Sequence, residues 1–291
     1  MSQGDEMKSY AEYYDLCKEN YETQEKPENL LDLYNLGMIV NTPGKENGLL
    51  QFPENYSSAI KSLSSKIAHK VDDPTEHYRD PSASGYDIAI QIKNIYDMPE
   101  LEEIAQMLLP QLEKKVFGSY IHCSAIHAYR NIQTDSPEVS SWLWHYDNNP
   151  KEAVKLLVYL TDVSEDTAPF ELLTSPEGGA VKMSTSRTGP KHWGPPYIHN
   201  SRIPKDMMEN FYSQGLKNKK ITGPKGTALF FDNNIVHRAN IPTKGYRDVV
   251  IYNIRPTMHK MKKYISKDTT GSWTHKSPIM DPELLTPTPK R

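Results

Sequence analysis

The chain is poor in cysteine: Cys17 and Cys123 are the only two among 291 residues. Two thiols build neither a disulfide framework nor a thiolate zinc cage. They point to a reducing compartment, so a cytoplasmic protein is expected. No apolar run approaches the ~20 residues that a membrane-spanning helix requires, mean hydropathy is −0.69, and no membrane partner is expected. The opening Met1-Ser2-Gln3-Gly4-Asp5-Glu6 has neither the basic nor the apolar region of a secretory leader. A large charge of one sign is also missing. The net charge of −3 argues against a nucleic-acid partner. The charge is uneven, acidic over the first thirty residues and basic over 257–291, which reads as solvated surface. No internal repeat is present, and oligomeric state is not legible.

The apolar positions that are present follow two periods. Met7, Tyr10, Tyr14, Cys17 and Tyr21 share a helical face, as do Ile60, Leu63, Ile67 and Val71. Leu101, Ile104, Leu108 and Leu112 predict a third helix, bent at Pro110. Ile88, Ile90 and Ile92 alternate as a strand does. From about residue 117 the pattern becomes β, with strands predicted over Ser119–Tyr129, Val154–Thr161, Thr227–Phe231 and Arg247–Ile254. One α+β domain over 1–291 is expected. It divides into a mainly helical flank (1–116), a β-barrel core (117–256) and a C-terminal tail (257–291). The Gly-, Pro- and aromatic-rich stretch from Thr174 to Ile203 reads as a binding loop.

The chemistry concentrates in His145-Tyr146-Asp147 and His237. Residues i and i+2 of a strand project from one side, so His145 and Asp147 can reach one ion. Two imidazoles and a carboxylate cap one face of a metal and leave the other open, as in non-haem Fe(II) oxygenases. His122 and His127 stand at odd separation in one predicted strand, so they are expected on opposite faces. The other histidines (His69, His77, His192, His199, His259, His275) have no obvious carboxylate partner. Arg247 opens a strand on whose face lie Val249, Ile251, Asn253 and Arg255. A cation there needs a partner. That partner is either a ligand carboxylate held bidentately or a protein acid. Arg238 and Lys244 are nearby alternatives.

These residues resemble the Fe(II)/2-oxoglutarate-dependent dioxygenases, most closely the phytanoyl-CoA dioxygenase-like superfamily. The likeness runs over roughly 117–256. It rests on Ser141-Trp142-Leu143-Trp144-His145-Tyr146-Asp147, Leu160-Thr161-Asp162-Val163, Ala168-Pro169-Phe170, and His237-Arg238-Ala239-Asn240 leading to Gly245-Tyr246-Arg247. The resemblance implies a double-stranded β-helix, a jelly-roll or cupin-like barrel, flanked by N-terminal helices. It implies Fe(II) on His145, Asp147 and His237, with 2-oxoglutarate and O2 as cosubstrates. Arg247 takes the position that binds the far carboxylate of 2-oxoglutarate, and His127 that of a second cosubstrate contact. Two departures stand out. Ala239 replaces a common cosubstrate-touching Ser, and Leu173-Thr174-Ser175-Pro176-Glu177-Gly178 replaces a Pro-Gly-Ser-His segment.

The activity implied is hydroxylation of an unactivated C–H bond of a small polar molecule, with release of succinate and CO2. Related halogenases carry a small residue where Asp147 stands, so halogenation is not expected. Tyr129, Trp193, Asn253 and Arg255 are the candidate substrate contacts. Arg187, Lys191, His192, Tyr197 and Arg202 add cationic and aromatic groups in the 174–203 loop. Two other classes compete: a non-catalytic binding member of the fold, and a metal-dependent hydrolase or isomerase that needs neither Arg247 nor O2.

Overall fold

The computed structural model describes residues 9–21, 29–45, 48–81, 87–95, 98–187 and 201–265. Helix α1 (Tyr10–Glu19) begins with reciprocal capping. The Ser9 hydroxyl accepts from the Glu12 amide and the Glu12 carboxylate from the Ser9 amide, each at 3.1 Å. Of its predicted stripe Tyr10, Tyr14 and Cys17 are buried, joined by Tyr13, while Tyr21 lies half-buried past the helix end; Met7 lies outside the described residues. Helix α2 (Tyr56–Asp72) buries Ile60, Leu63 and Ile67. Helix α3 (Pro99–Leu112) buries Leu101, Ile104, Leu108 and Leu112. It runs through Pro110 and closes in a π turn over Glu113–Phe117, ended by Gly118 in the left-handed region at φ 54°. A short helix α4 (Lys205–Ser213) follows later. No helix among the described residues is long and apolar enough to cross a membrane.

The described residues also form ten strands: β1 (Met38–Asn41), β2 (His77–Pro81), β3 (Asp87–Ile92), β4 (Tyr120–Ile132), β5 (Val154–Tyr159), β6 (Phe170–Thr174), β7 (Lys217–Ile221), β8 (Ala228–Asp232), β9 (His237–Arg238) and β10 (Tyr246–Thr257). Seven form one sheet in the order β1-β8-β5-β10-β4-β3-β2. A three-stranded sheet has the order β7-β6-β9. Every pairing is antiparallel. The predicted strands appear as β4, β5, β8 and β10. The front of the chain is less purely helical than expected, because β1 completes one edge of the large sheet and β2 and β3 the other.

Alternation divides the large sheet between two cores. Leu156, Val158, Phe230, Val250, Tyr252 and Ile254 face α1, α2 and α3. Leu157, Tyr159, Leu229, Phe231, Val249 and Ile251 face the small sheet with Phe170, Leu172 and Ile221. Each such side chain removed from water contributes roughly 1.5–3 kcal/mol. Both faces of the sheet are therefore fixed, and with them which residues can look into the space between the sheets.

One irregularity matters for that space. In the β4–β10 pair, Ala125 faces Asn253 but Cys123 faces Ile254, so Ser124 is an extra residue on β4. Such a bulge reverses which side chains point inward. His127 lies opposite Ile251 and His122 opposite Arg255. Positions 251 and 255 share a face, so His122 and His127 share one too. The expectation that they oppose each other is corrected.

Candidate metal centre

His145 lies in an extended segment pinned from both sides rather than in a regular strand. On one side it forms a hydrogen-bonded antiparallel pair with His237, with N–H to carbonyl distances of 3.0 and 2.8 Å. On the other it stands opposite Arg202 in a pair framed by Tyr146 N–H to Ser201 O (3.0 Å) and Ile203 N–H to Trp144 O (2.8 Å). The Asp147 amide donates to Asn233 O at 2.9 Å. Asn234 clamps the next turn: its Oδ1 accepts from the Asn149 amide at 3.1 Å and its Nδ2 donates to Asn149 O at 3.0 Å. Asn148 turns the chain away at φ 49°, a conformation Asn tolerates better than most residues. Its Oδ1 accepts from the Ser186 amide and the Thr185 hydroxyl, both at 3.1 Å.

This framework brings one donor atom each from His145, Asp147 and His237 within 4.8 Å of one another, the one such group among the described residues. Each imidazole is oriented by its own backbone. His145 Nδ1 lies 2.8 Å from Leu143 O, and His237 Nδ1 lies 2.8 Å from Ile235 O. A carbonyl only accepts, so each Nδ1 carries the proton and each Nε2 keeps its lone pair for an ion. Burial lowers the pKa of both rings. His237 adds to the effect on His145, and Lys155 and Arg202 add to it on His237; Asp147 opposes it in both. Both rings are therefore neutral at pH 7, the form that ligates.

Asp147 behaves oppositely. Burial alone would raise its pKa, but the Lys155 ammonium, followed by the two imidazoles, holds the carboxyl well below the usual range. Lys155 Nζ lies 2.6 Å from Oδ2, while Oδ1 lies 3.8 Å from His145 Nε2. One carboxylate oxygen is thus occupied and the other faces the imidazoles. Sequence reasoning passed over Lys155. Its signal was there, since a buried lysine within Val154-Lys155-Leu156-Leu157-Val158-Tyr159 requires a partner. Two neutral nitrogens and one anionic oxygen suit ferrous iron, and three protein donors leave positions open for ligands.

Arg247 is 1% exposed. Its Nε and Nη2 donate to Asn131 Oδ1 at 3.2 and 2.7 Å, and its Nη1 has no hydrogen-bond partner. Among the described residues no protein acid pairs with it. The neighbouring Asp248 is taken by Arg130 at 2.7 and 2.8 Å. The alternative cations are also engaged: Arg238 with Glu171 at 2.8 Å and Lys244 with Asp166 at 3.1 Å. A buried guanidinium with a neutral acceptor and an orphaned N–H fits a ligand carboxylate.

The remaining candidates sort differently. His127 is buried opposite Ile251, and burial followed by the Lys155 charge depresses its pKa to about 3. Tyr129 is half-buried against the inter-sheet core. Asn253 stands opposite Lys155, but its Nδ2 turns to Ala125 O at 3.4 Å. Arg255 lies among Tyr10, Arg187 and Glu152. Trp193, with Lys191, His192 and Tyr197, lies outside the described residues.

No family model matches the chain. A curated relative, L-proline trans-4-hydroxylase of Streptomyces griseoviridis, is 20% identical over 178 residues; the match covers 55% of this chain and only 65% of that enzyme's length. Among solved structures, EctD from S. alaskensis with 2-oxoglutarate and 5-hydroxyectoine aligns at a TM-score of 0.47 and 14% identity, over 92% of this chain and 90% of that one. The non-heme alpha ketoglutarate dependent carbocyclase SnoK from nogalamycin biosynthesis aligns at 0.49 and 10% identity, over 83% and 86%. These are similarities to those proteins and assign the chain to no family.

Proposed function

We propose that this chain is an Fe(II)- and 2-oxoglutarate-dependent oxygenase that hydroxylates an unactivated C–H bond of a small polar metabolite, releasing succinate and CO2. One conjunction carries the reading: a three-donor His-Asp-His group with both Nε2 atoms free, and, facing the same inter-sheet core, a buried Arg247 that no acid among the described residues neutralises. A hydrolase or isomerase would have no use for the second half of that pair. The activity named for the curated relative supports the same reaction class. The antiparallel sheets are read as the two halves of a double-stranded β-helix within a single cytoplasmic domain.

His145, Asp147 and His237 would hold the ferrous ion. Bound iron with 2-oxoglutarate and O2 supplies the oxidising power, and the protein supplies orientation and insulation. Lys155 holds Oδ2 of Asp147 and would leave Oδ1 as the metal donor. The Leu143 and Ile235 carbonyls fix the two ring tautomers. Arg247, steadied by Asn131, holds the far carboxylate of the cosubstrate. His127, kept neutral by its burial, adds a polar contact on the same wall. Leu157, Tyr159, Val249 and Ile251 exclude water around it.

The test is anaerobic addition of Fe(II) and 2-oxoglutarate. A weak visible charge-transfer band is expected, followed by O2-dependent succinate formation. His145→Ala should abolish both. A flat spectrum with no succinate, or O2-independent turnover, would end this reading.

A further inference from the structure

Arg202 has no role in the chemistry described so far, yet the register places it at the centre. It stands directly opposite His145, on the side away from His237. Opposed residues of an antiparallel pair present their side chains on the same face, and a pair without direct hydrogen bonds brings them closest. Arg202, His145 and His237 therefore form one row on one face. The guanidinium is only half-buried, and it makes no hydrogen bond or ion pair among the described residues. Its charge is felt by His145, Asp147 and His237 alike.

The local charge does not balance even when the site is filled. A ferrous ion and a 2-oxoglutarate dianion cancel. Asp147 and Lys155 cancel. Arg247 and Arg202 are left, and Arg247 is engaged at the far end of the cosubstrate. The adjoining segment 188–200 contains no Asp or Glu to neutralise Arg202. Arg255 has Glu152 and Tyr10 as neighbours and carries a second guanidinium, Arg187, close by. An unpaired cation beside a reaction centre is costly unless a ligand completes it.

We propose that the substrate is a small organic anion whose carboxylate or phosphate group is held by Arg202, beside the metal and across His145 from His237. This deepens, and rests on, the metal and cosubstrate reading above. A planar guanidinium suits either oxyanion through paired N–H donors. Arg202 thus acts as an anchor that sets which end of the substrate lies away from the oxidant.

The test is oxyanion binding to the anaerobic holoprotein with Fe(II) and saturating 2-oxoglutarate. Sodium acetate and inorganic phosphate are titrated at constant ionic strength, with acetamide as the neutral control, and thermal unfolding is followed. Saturable stabilisation by acetate, phosphate or both is expected, with none from acetamide; which oxyanion works separates a carboxylate from a phosphate substrate. Arg202→Met should weaken that binding about tenfold or more, the loss of one charge-assisted contact, and Arg202→Lys should retain part of it. Neither change should move the 2-oxoglutarate midpoint read from the visible band. Stabilisation that is absent, or equal in Arg202→Met, overturns the proposal while the band persists. Loss of the band in the unmodified protein would instead bring down the underlying reading, and this proposal with it.

Discussion

Replacing Arg247 with Met separates a ligand-binding cation from a structural one. The side chain is 1% exposed, and two of its N–H groups donate to one neutral oxygen, Asn131 Oδ1. Removing the guanidinium leaves that oxygen unpaired, at roughly 1–3 kcal/mol. It also removes an uncompensated buried charge, which works in the opposite direction. The cosubstrate-free protein should therefore change little in thermal stability. Binding should suffer instead. A charge-assisted bond from Nη1 to a carboxylate is worth about 1.5–3 kcal/mol, so the 2-oxoglutarate Kd should rise on the order of 10- to 150-fold. At a cosubstrate concentration of about a hundred times the original Kd, ligand stabilisation should fall from ~2.7 to ~0.4 kcal/mol for a hundredfold weaker site. That is a thermal shift shrinking from about 5 °C to about 1 °C. Arg130→Met is the contrasting control. It breaks a buried bidentate pair with Asp248, so it should destabilise the protein by roughly 3–5 kcal/mol with or without cosubstrate. If Arg247→Met behaves like that control and the cosubstrate Kd stays put, the carboxylate-clamp reasoning is wrong.

Lys155→Met should remove the largest influence that opposes the burial of Asp147, raise its pKa and move the pH midpoint of Fe(II) binding upward; an unchanged midpoint in a pH-resolved metal titration would show that Lys155 does not tune the ligand. His127 is depressed from 6.5 to about 3 in the folded state, so between those values the unfolded chain binds the extra proton and stability falls as pH falls. The slope is ~1.4 kcal/mol per pH unit, and His127→Gln should flatten the denaturation midpoint by about 2 kcal/mol between pH 6.5 and 5; parallel profiles would reject this. Burial pushes the Cys17 thiol up to about 12, and Cys123 is raised as well, so neither should react with iodoacetamide at pH 8 until the protein is unfolded. Rapid labelling of the native chain would contradict the packing of α1 and β4.

Much of this was legible because chemistry constrains residue type. A facial metal site needs imidazole and carboxylate, and the order His145, Asp147, His237, Arg247 can be read without coordinates. Helices α1, α2 and α3 were equally readable, since each lays one apolar stripe on the sheet. Strands β6, β7 and β9 were not. Phe170–Thr174 is a short run buried throughout and so lacks alternation, Lys217–Ile221 is a largely exposed edge rich in lysine, and β9 has only two residues. The bulge at Ser124 was invisible for a different reason. Inserting one residue leaves the alternation of each half intact and changes only their relation. That is why His122 and His127 were expected on opposite faces although they share one. Arg202 and Lys155 needed the register, because their significance lies in what they oppose rather than in what they are.

The same register argues that Arg247 and Arg255 of β10 do not hold one small molecule between them. Arg247 and Arg255 share a face of the strand, eight residues apart, so their Cα atoms are separated by ~26 Å in extended chain. Both side chains turned toward each other still leave a gap wider than a five-carbon diacid. No small cosubstrate can be gripped by both. Arg247 has Asn131 and no acid, a setting that waits for an anion. Arg255 has Glu152 and Tyr10 within reach and so is already partly neutralised. Asn253, two residues from Arg255, stands opposite Lys155, whose ammonium reaches Asp147. The metal ligand is thereby tied to the Arg255 end of the strand, with the cosubstrate clamp at the other. Arg255→Met should accordingly leave the 2-oxoglutarate requirement unchanged, and a rise in that requirement would show that the two ends of β10 are not independent.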